Sequence, residues 1–229
     1  ECGCAFFLPF RTSPYCSACE FGYTAGMEEF FAPQDELRIE IAMTAARLIA
    51  EEGLDYATAR NQAVKALLGK QRVPRERLPS DQDIQDEVRA YQALFQADSQ
   101  PGELNELREV ALQFMQGIQQ FEPIVYGAAV NGTGSAHSDV HIIAFADDEK
   151  EVDYWLLNQN INFDACEDAL LAGKSFPAVA FRWKQRWFQL GVASPVQRRG
   201  LLNRQAPDGT LFQTDTAGLT RLISQIEAP

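Results

Sequence analysis

No run in the chain approaches the ~20 consecutive apolar residues that a membrane-spanning helix needs, and no segment has the basic, apolar and small-residue order of a secretory signal. Positive charge is scarce: 20 Lys and Arg stand against 32 Asp and Glu, a net charge of −12, with a pI near 4.6. A field of that sign repels phosphate backbones and anionic lipid, which argues against broad, non-specific binding to either. Repeats and low-complexity tracts are missing too. What remains is ordinary for a globular protein: 229 residues, 46% apolar, 10% aromatic and 23% charged. That is enough chain to bury roughly 70% of its unfolded surface in one large domain or two small ones. A soluble cytoplasmic protein without a membrane partner is the expectation.

The charge is unevenly placed. Residues 1–128 carry twenty acids and eleven bases, and residues 129–229 carry twelve and nine. Between Asp168 and Asp208 no acid occurs, while Lys174, Arg182, Lys184, Arg186, Arg198, Arg199 and Arg204 supply seven positive charges. Such a window in an acidic protein suits a small anion better than a long polyanion. The plainer alternative pairs these bases with acids of the first half.

Four of the five cysteines, Cys2, Cys4, Cys16 and Cys19, fall in a Cys-rich segment at residues 1–32. Two close pairs separated by a short loop suit a tetrahedral zinc site, although C-x-C is tighter than the usual spacing. A cytoplasmic setting disfavours disulfides. The segment also reads as an appendage over residues 1–26, with Met27 as a natural start.

Residues 33–121 read as a helical region. Asp35 is a cap for a helix bearing Leu37, Ile41, Ala45, Leu48 and Ile49 and ending at Gly53. Asp55 opens a second helix, which ends at Gly69, and residues 70–79 form a loop. Ser80 with Asp83 is a capping signal for a third, with Ile84, Val88, Tyr91 and Phe95 on one stripe. Leu104, Leu107, Ala111, Phe114, Met115 and Ile118 mark a fourth. Residues 38–59 are similar to the opening of a TetR-type regulator, which would make the next helix, from Tyr56, a DNA-reading one.

Residues 122–229 read as mixed α/β. Strands are expected at 124–130, 138–146, 161–165, 178–183 and 186–193, with helices after Asp147–Asp148, after Pro195 and over 214–226. Gly132, Thr133 and Gly134 form a glycine-rich loop. Beyond it, Ser138-Asp139-Val140-His141 places Asp139 and His141 on the same side of a strand.

This segment resembles the core of the nucleotidyltransferase fold, the superfamily of DNA polymerase β and the small antibiotic and toxin nucleotidyltransferases. Their pattern is a Gly-Gly or Gly-Ser turn, a short spacer, Asp-x-Asp on a strand and a third carboxylate on a later strand. Gly132 and Thr133 stand at the turn, and Asp139 and His141 at Asp-x-Asp. The stretch from the helical half onward is also similar to a bacterial family of this fold whose members sometimes carry the label UDP-N-acetylmuramate–alanine ligase. The chain does not carry the full Gly-x-x-x-x-Gly-Lys-Thr/Ser phosphate loop that the label would need: Gly173-Lys174-Ser175 has Asp168 where the first glycine belongs. The fold class implied is α+β, an N-terminal helical region followed by a nucleotidyltransferase-like mixed sheet with flanking helices.

The resemblance implies a nucleoside triphosphate partner and transfer of a nucleoside monophosphate to an acceptor hydroxyl, in a nucleic acid or elsewhere. Gly132, Thr133 and Ser138, with Arg198 and Arg199, would hold phosphates. Asp139 and His141 would hold Mg²⁺ or Mn²⁺, with His141 as ligand or base. His137 and His141, the only histidines, bracket Asp139 and suggest an alternative acid/base role. His141 replaces the second aspartate, and imidazole suits Mn²⁺ or Zn²⁺ better than Mg²⁺. At the third carboxylate's position the polar candidate is Gln189. A second expectation follows: a catalytically inactive relative acting as a binding or regulatory module, its acidic helical half facing a protein partner.

Overall fold

The computed structural model describes residues 33–202 and 212–226. Cys2, Cys4, Cys16 and Cys19 lie outside them, as does Arg204. The described residues form an α+β structure, helical at first and then built around a mixed six-stranded sheet.

Helix α1 (Pro33–Glu52) starts two residues before the expected cap at Asp35, since proline is well suited to a first helical position. It stops at Gly53, whose φ of 70° and amide bond to the Ile49 carbonyl end the helix. Helix α2 (Tyr56–Leu68) is capped by Asp55, which accepts from the amides of Ala57 and Thr58. Helix α3 (Asp81–Phe95) opens with a complete capping box between Ser80 and Asp83. Ile41, Ala45, Ala59, Ala63, Ile84 and Val88 form the core of these three helices. The expected α3 stripe is half right. Ile84 and Val88 are buried, but Tyr91 and Phe95 turn outward, and Gln85 and Gln92 are buried instead.

Helix α4 (Gln100–Gly117) carries its expected stripe into a different core, that of the sheet. Strand β1 (Ile124–Tyr126) is shorter than the expected 124–130. Gly127, at φ 76°, turns the chain into a four-residue helix α5 (Ala128–Asn131) before the glycine-rich loop. Next come β2 (Val140–Phe145), α6 (Glu149–Asn158), β3 (Phe163–Ala165) and a hairpin, β4 (Ala169–Leu171) with β5 (Lys174–Phe176). Strands β6 (Ala178–Trp183) and β7 (Arg186–Ala193) follow, joined by Lys184 and Gln185, both at positive φ as a tight type I′ turn requires. The chain ends with α7 (Arg198–Leu202), β8 (Gln213–Asp215) and α8 (Thr216–Ile226). The β4–β5 hairpin and β8 have no counterpart among the expected strands, each being three residues long.

The sheet order is β3-β6-β7-β2-β1-β8. Only β2 and β7 run parallel; the other neighbours are antiparallel. On one face, Val140, Ile142, Phe181, Phe188 and Leu190 meet α4, α6 and α8. Phe114 of α4 sits among the rings of Phe188 and Phe181, with centroids 4.9 and 5.2 Å away. The opposite face is covered in part by the β4–β5 hairpin and α7, through Ala169, Leu171, Phe176 and Leu201. Gly191 makes that cover possible. A Cβ there would stand 2.8 Å from the Ala169 Cβ and 2.6 Å from the Ile143 side chain.

Two expectations follow. A Cβ on Gly53 would lie 2.5 Å from the His137 carbonyl oxygen, at a φ that L-residues rarely adopt. Gly53→Ala should therefore cost about 1–3 kcal/mol, read as a lowered urea midpoint. Asp83 is crowded by its surroundings, which opposes its ionisation, yet hydrogen bonds from Arg38 and Ser80 prevail and hold its carboxyl below the usual value of 3.8. Its contribution is thus complete above pH 3.8 and is lost as pH falls through the lowered folded value. Asp83→Asn should cost about 1 kcal/mol at neutral pH and flatten the acid limb of a stability–pH curve.

Candidate functional site

The backbone pairing lays one row of residues across the sheet: Tyr126 opposite His141, His141 opposite Gln189, Gln189 opposite Ala180, and Ala180 opposite Asp164. Directly opposed residues share a face. Here it is the face that the hairpin only partly covers. Asp139, two residues before His141, points to the same side. Gln189 therefore stands beside His141.

The hydrogen bonds of this row define its chemistry. Gln189 Nε2 donates to the Glu167 carbonyl at 3.0 Å, so its Oε1 is the acceptor for the His141 Nδ1 2.9 Å away. The proton then belongs on Nδ1, and in the neutral ring Nε2 keeps the unshared pair. Tyr126 reaches the same Oε1 at 3.5 Å, and its ring centroid lies 5.4 Å from that of His141. Burial pushes the Tyr126 hydroxyl well above the usual phenol range, with a smaller push from Cys166, so it stays protonated. Asp139 has an exposed side chain at the start of β2, but desolvation by its neighbours raises its carboxyl above the usual value, and the nearby His141 partly offsets this.

The glycine-rich loop is differently arranged from a phosphate cradle. Gly132, at φ 87°, has open space where a Cβ would be, but Thr133 is only 2% exposed. The Thr133 amide and hydroxyl both bond to the Asn131 side chain, at 3.0 and 2.8 Å. The amides of Gly134 and Ser138 donate to the carbonyls of Ala128 and Ser135. Those of Ser135, Ala136 and His137 donate to Ser138 Oγ, Glu103 and Ser135 Oγ. From Thr133 to Ser138, then, every amide is used within the protein, and the Thr133 hydroxyl with them. The loop's carbonyls are likewise taken, by Arg89, Gln92, Gln100 and Arg186.

Arg198 and Arg199 are not brought to this row. Arg198 pairs with the Glu122 carboxylate at 3.3 Å. Glu122 precedes β1, whose Ile124 is opposite Ile143, so Arg198 is anchored near the far end of β2 from Asp139. At ~3.3 Å per residue that is roughly 20 Å away. Arg199 is exposed on α7. The cationic window is dispersed: Arg186 is buried against the loop and pairs with Glu106, and Lys184 donates to Gln113. The plainer reading, pairing with acids of the first half, describes Arg186 and Arg198. His137 abuts Gly53 through its backbone and Cβ. The helix a TetR-like reading would assign to DNA, α2, accepts an Asn131 hydrogen bond at the Tyr56 hydroxyl and ties Arg60 to Asp81.

No family model matches the chain, and no curated protein matches it.

Sequence reasoning passed over Tyr126, which read as one more apolar strand residue, and the Cys166–Glu167 segment that anchors Gln189. It also passed over buried Arg108, which donates to the Ala129 carbonyl at 2.7 Å. A lone arginine inside the α4 stripe was the available signal. Nitrogen-15 spectra of the neutral His141 ring should show the Nδ1–H tautomer, and Gln189→Leu should abolish that preference. A dominant Nε2–H form in the native protein would contradict the hydrogen-bond assignment.

Proposed function

We propose that this protein is a catalytically inactive relative of the nucleotidyltransferases, a binding or regulatory module rather than a transferase. The observation that carries the reading is the His141–Gln189 hydrogen bond, made where a two-metal site would need carboxylates. Transfer by that route needs two Mg²⁺ to activate the attacking hydroxyl and neutralise the leaving pyrophosphate. Mg²⁺ takes hard oxygen ligands, and beside His141 the row offers one carboxylate, Asp139, with an imidazole and an amide oxygen already in use; Asp164 stands three strand spacings away, roughly 14 Å. The donor set does not fit two Mg²⁺. Among the described residues no group of three or more His, Cys, Asp or Glu is gathered for a metal. The internally bonded loop amides support the same reading.

One observation favours a second reading, retained transfer with a single softer ion. A histidine whose Nδ1–H is held by a carbonyl is oriented as metal-ligating histidines are, and Asp139 lies beside it. Asp139 and His141 would then hold Mn²⁺ or Zn²⁺, the ion supplying charge stabilisation.

The experiment is pyrophosphate release from each of the four NTPs in Mg²⁺ and in Mn²⁺, comparing native protein with Asp139→Ala, alongside calorimetric NTP titration. Under the first reading release from the two proteins is indistinguishable, and the titration tells whether a nucleotide is what the module holds. Release that falls at least about 100-fold in Asp139→Ala overturns that reading and establishes the second.

A further inference from the structure

The helical half presents a face that nothing among the described residues covers. Helices α1 and α3 run the same way, joined near one end by Arg38 and Asp83 and near the other by Gln96 donating to the Ala50 carbonyl. Between them lies a groove of about 340 Å³, lined by Met43, Thr44 and Arg47 from α1 and by Glu87, Tyr91 and Phe95 from α3. Leu94, which also lines it, is 77% exposed, Phe95 70% and Met43 55%. Tyr91 and Phe95 stack with centroids 4.7 Å apart, and the Tyr91 hydroxyl is held by Glu51 at 2.6 Å. A held tyrosine beside protruding apolar side chains is a preformed contact surface, and such patches on otherwise polar surfaces mark interaction sites.

The charges identify the partner. Arg47 and Glu87 flank the groove on opposite helices, and neither makes an ion pair among the described residues. A two-fold related pair of surfaces must be complementary to itself. This one carries a groove and the protruding side chains to fill it, and one cation and one anion to exchange. With parallel helices, a two-fold axis along them sets α1 of each copy over α3 of the other. Arg47 lies nine residues past Arg38 and Glu87 four past Asp83, so each Arg47 leans about 7.5 Å along the helices to reach the other copy's Glu87. We infer that two copies of this chain associate through the α1–α3 face, Leu94 and Phe95 of each packing into the other's groove and Arg47 pairing with Glu87 across the axis.

The test is sedimentation equilibrium of the full chain over a dilution series, with circular dichroism and thermal midpoints as controls for folding. Native protein should sediment as a reversible dimer, and Leu94→Glu with Phe95→Glu should be monomeric with an unchanged spectrum, since both side chains are exposed. Arg47→Glu and Glu87→Arg should each raise the dimer dissociation constant at least about tenfold, and the double reversal should return it to within about threefold of native. A native protein that is monomeric throughout overturns the proposal. So does a dimer indifferent to Leu94→Glu with Phe95→Glu, or a double reversal no tighter than its single variants.

Discussion

A loop that passes through the interior must have every backbone polar group satisfied, and the segment from Asn131 to Ser138 is such a loop. Thr133, Gly134 and Ser135 are buried, so an unpaired amide or carbonyl there would cost on the order of 1–3 kcal/mol. Their partners come from three directions. Arg89 and Gln92 reach from α3, Gln100 and Glu103 from α4, and Arg186 from β7. The helical half and the sheet are thereby tied to one strip of backbone. Gly53 completes the arrangement, because only a residue without a side chain lets the end of α1 lie on His137. Burial of Gln92 and Arg108, both poor core residues by type, follows from the same demand.

That constraint bears on the chemistry of the site. A phosphate-binding loop keeps its amides free for the ligand. This loop uses them to hold two parts of one chain together, and the same residues cannot do both at once. Beside it, Asp139, His141 and Gln189 stand on one face of the sheet, with a single acid among them. Gln189 is fixed by a carbonyl of the β3–β4 connection and fixes His141 in turn, so the ring is oriented by a chain of hydrogen bonds.

Much of this was legible in sequence where a local rule governs. The α4 stripe, the Asp55 cap, the Ser80–Asp83 box, the Gly53 and Gly69 stops and the alternation of β2 all depend on neighbours within a few residues. Gln189 was singled out only through the resemblance, as the polar residue on the strand where a third carboxylate would lie. The three-residue strands β4, β5 and β8 were not legible, since segments so short carry no measurable period. Nor was the outward turn of Tyr91 and Phe95. An amphipathic pattern says that a helix has an apolar side, not which part of that side a neighbour covers.

The sequence by itself determined the order of the longer helices and strands, the acidic balance, and the placing of Asp139 and His141 on one side of a strand, since these follow from periodicity and residue type. Only the tertiary structure decided that Arg198 is anchored far from Asp139, that Gln100 of α4 holds the Gly132 carbonyl, and that Gln189 sets the His141 tautomer. Those facts depend on contacts between residues 32–76 positions apart. No local pattern carries such a pairing, because it exists only once packing has brought the partners together and excluded the water that would otherwise satisfy them.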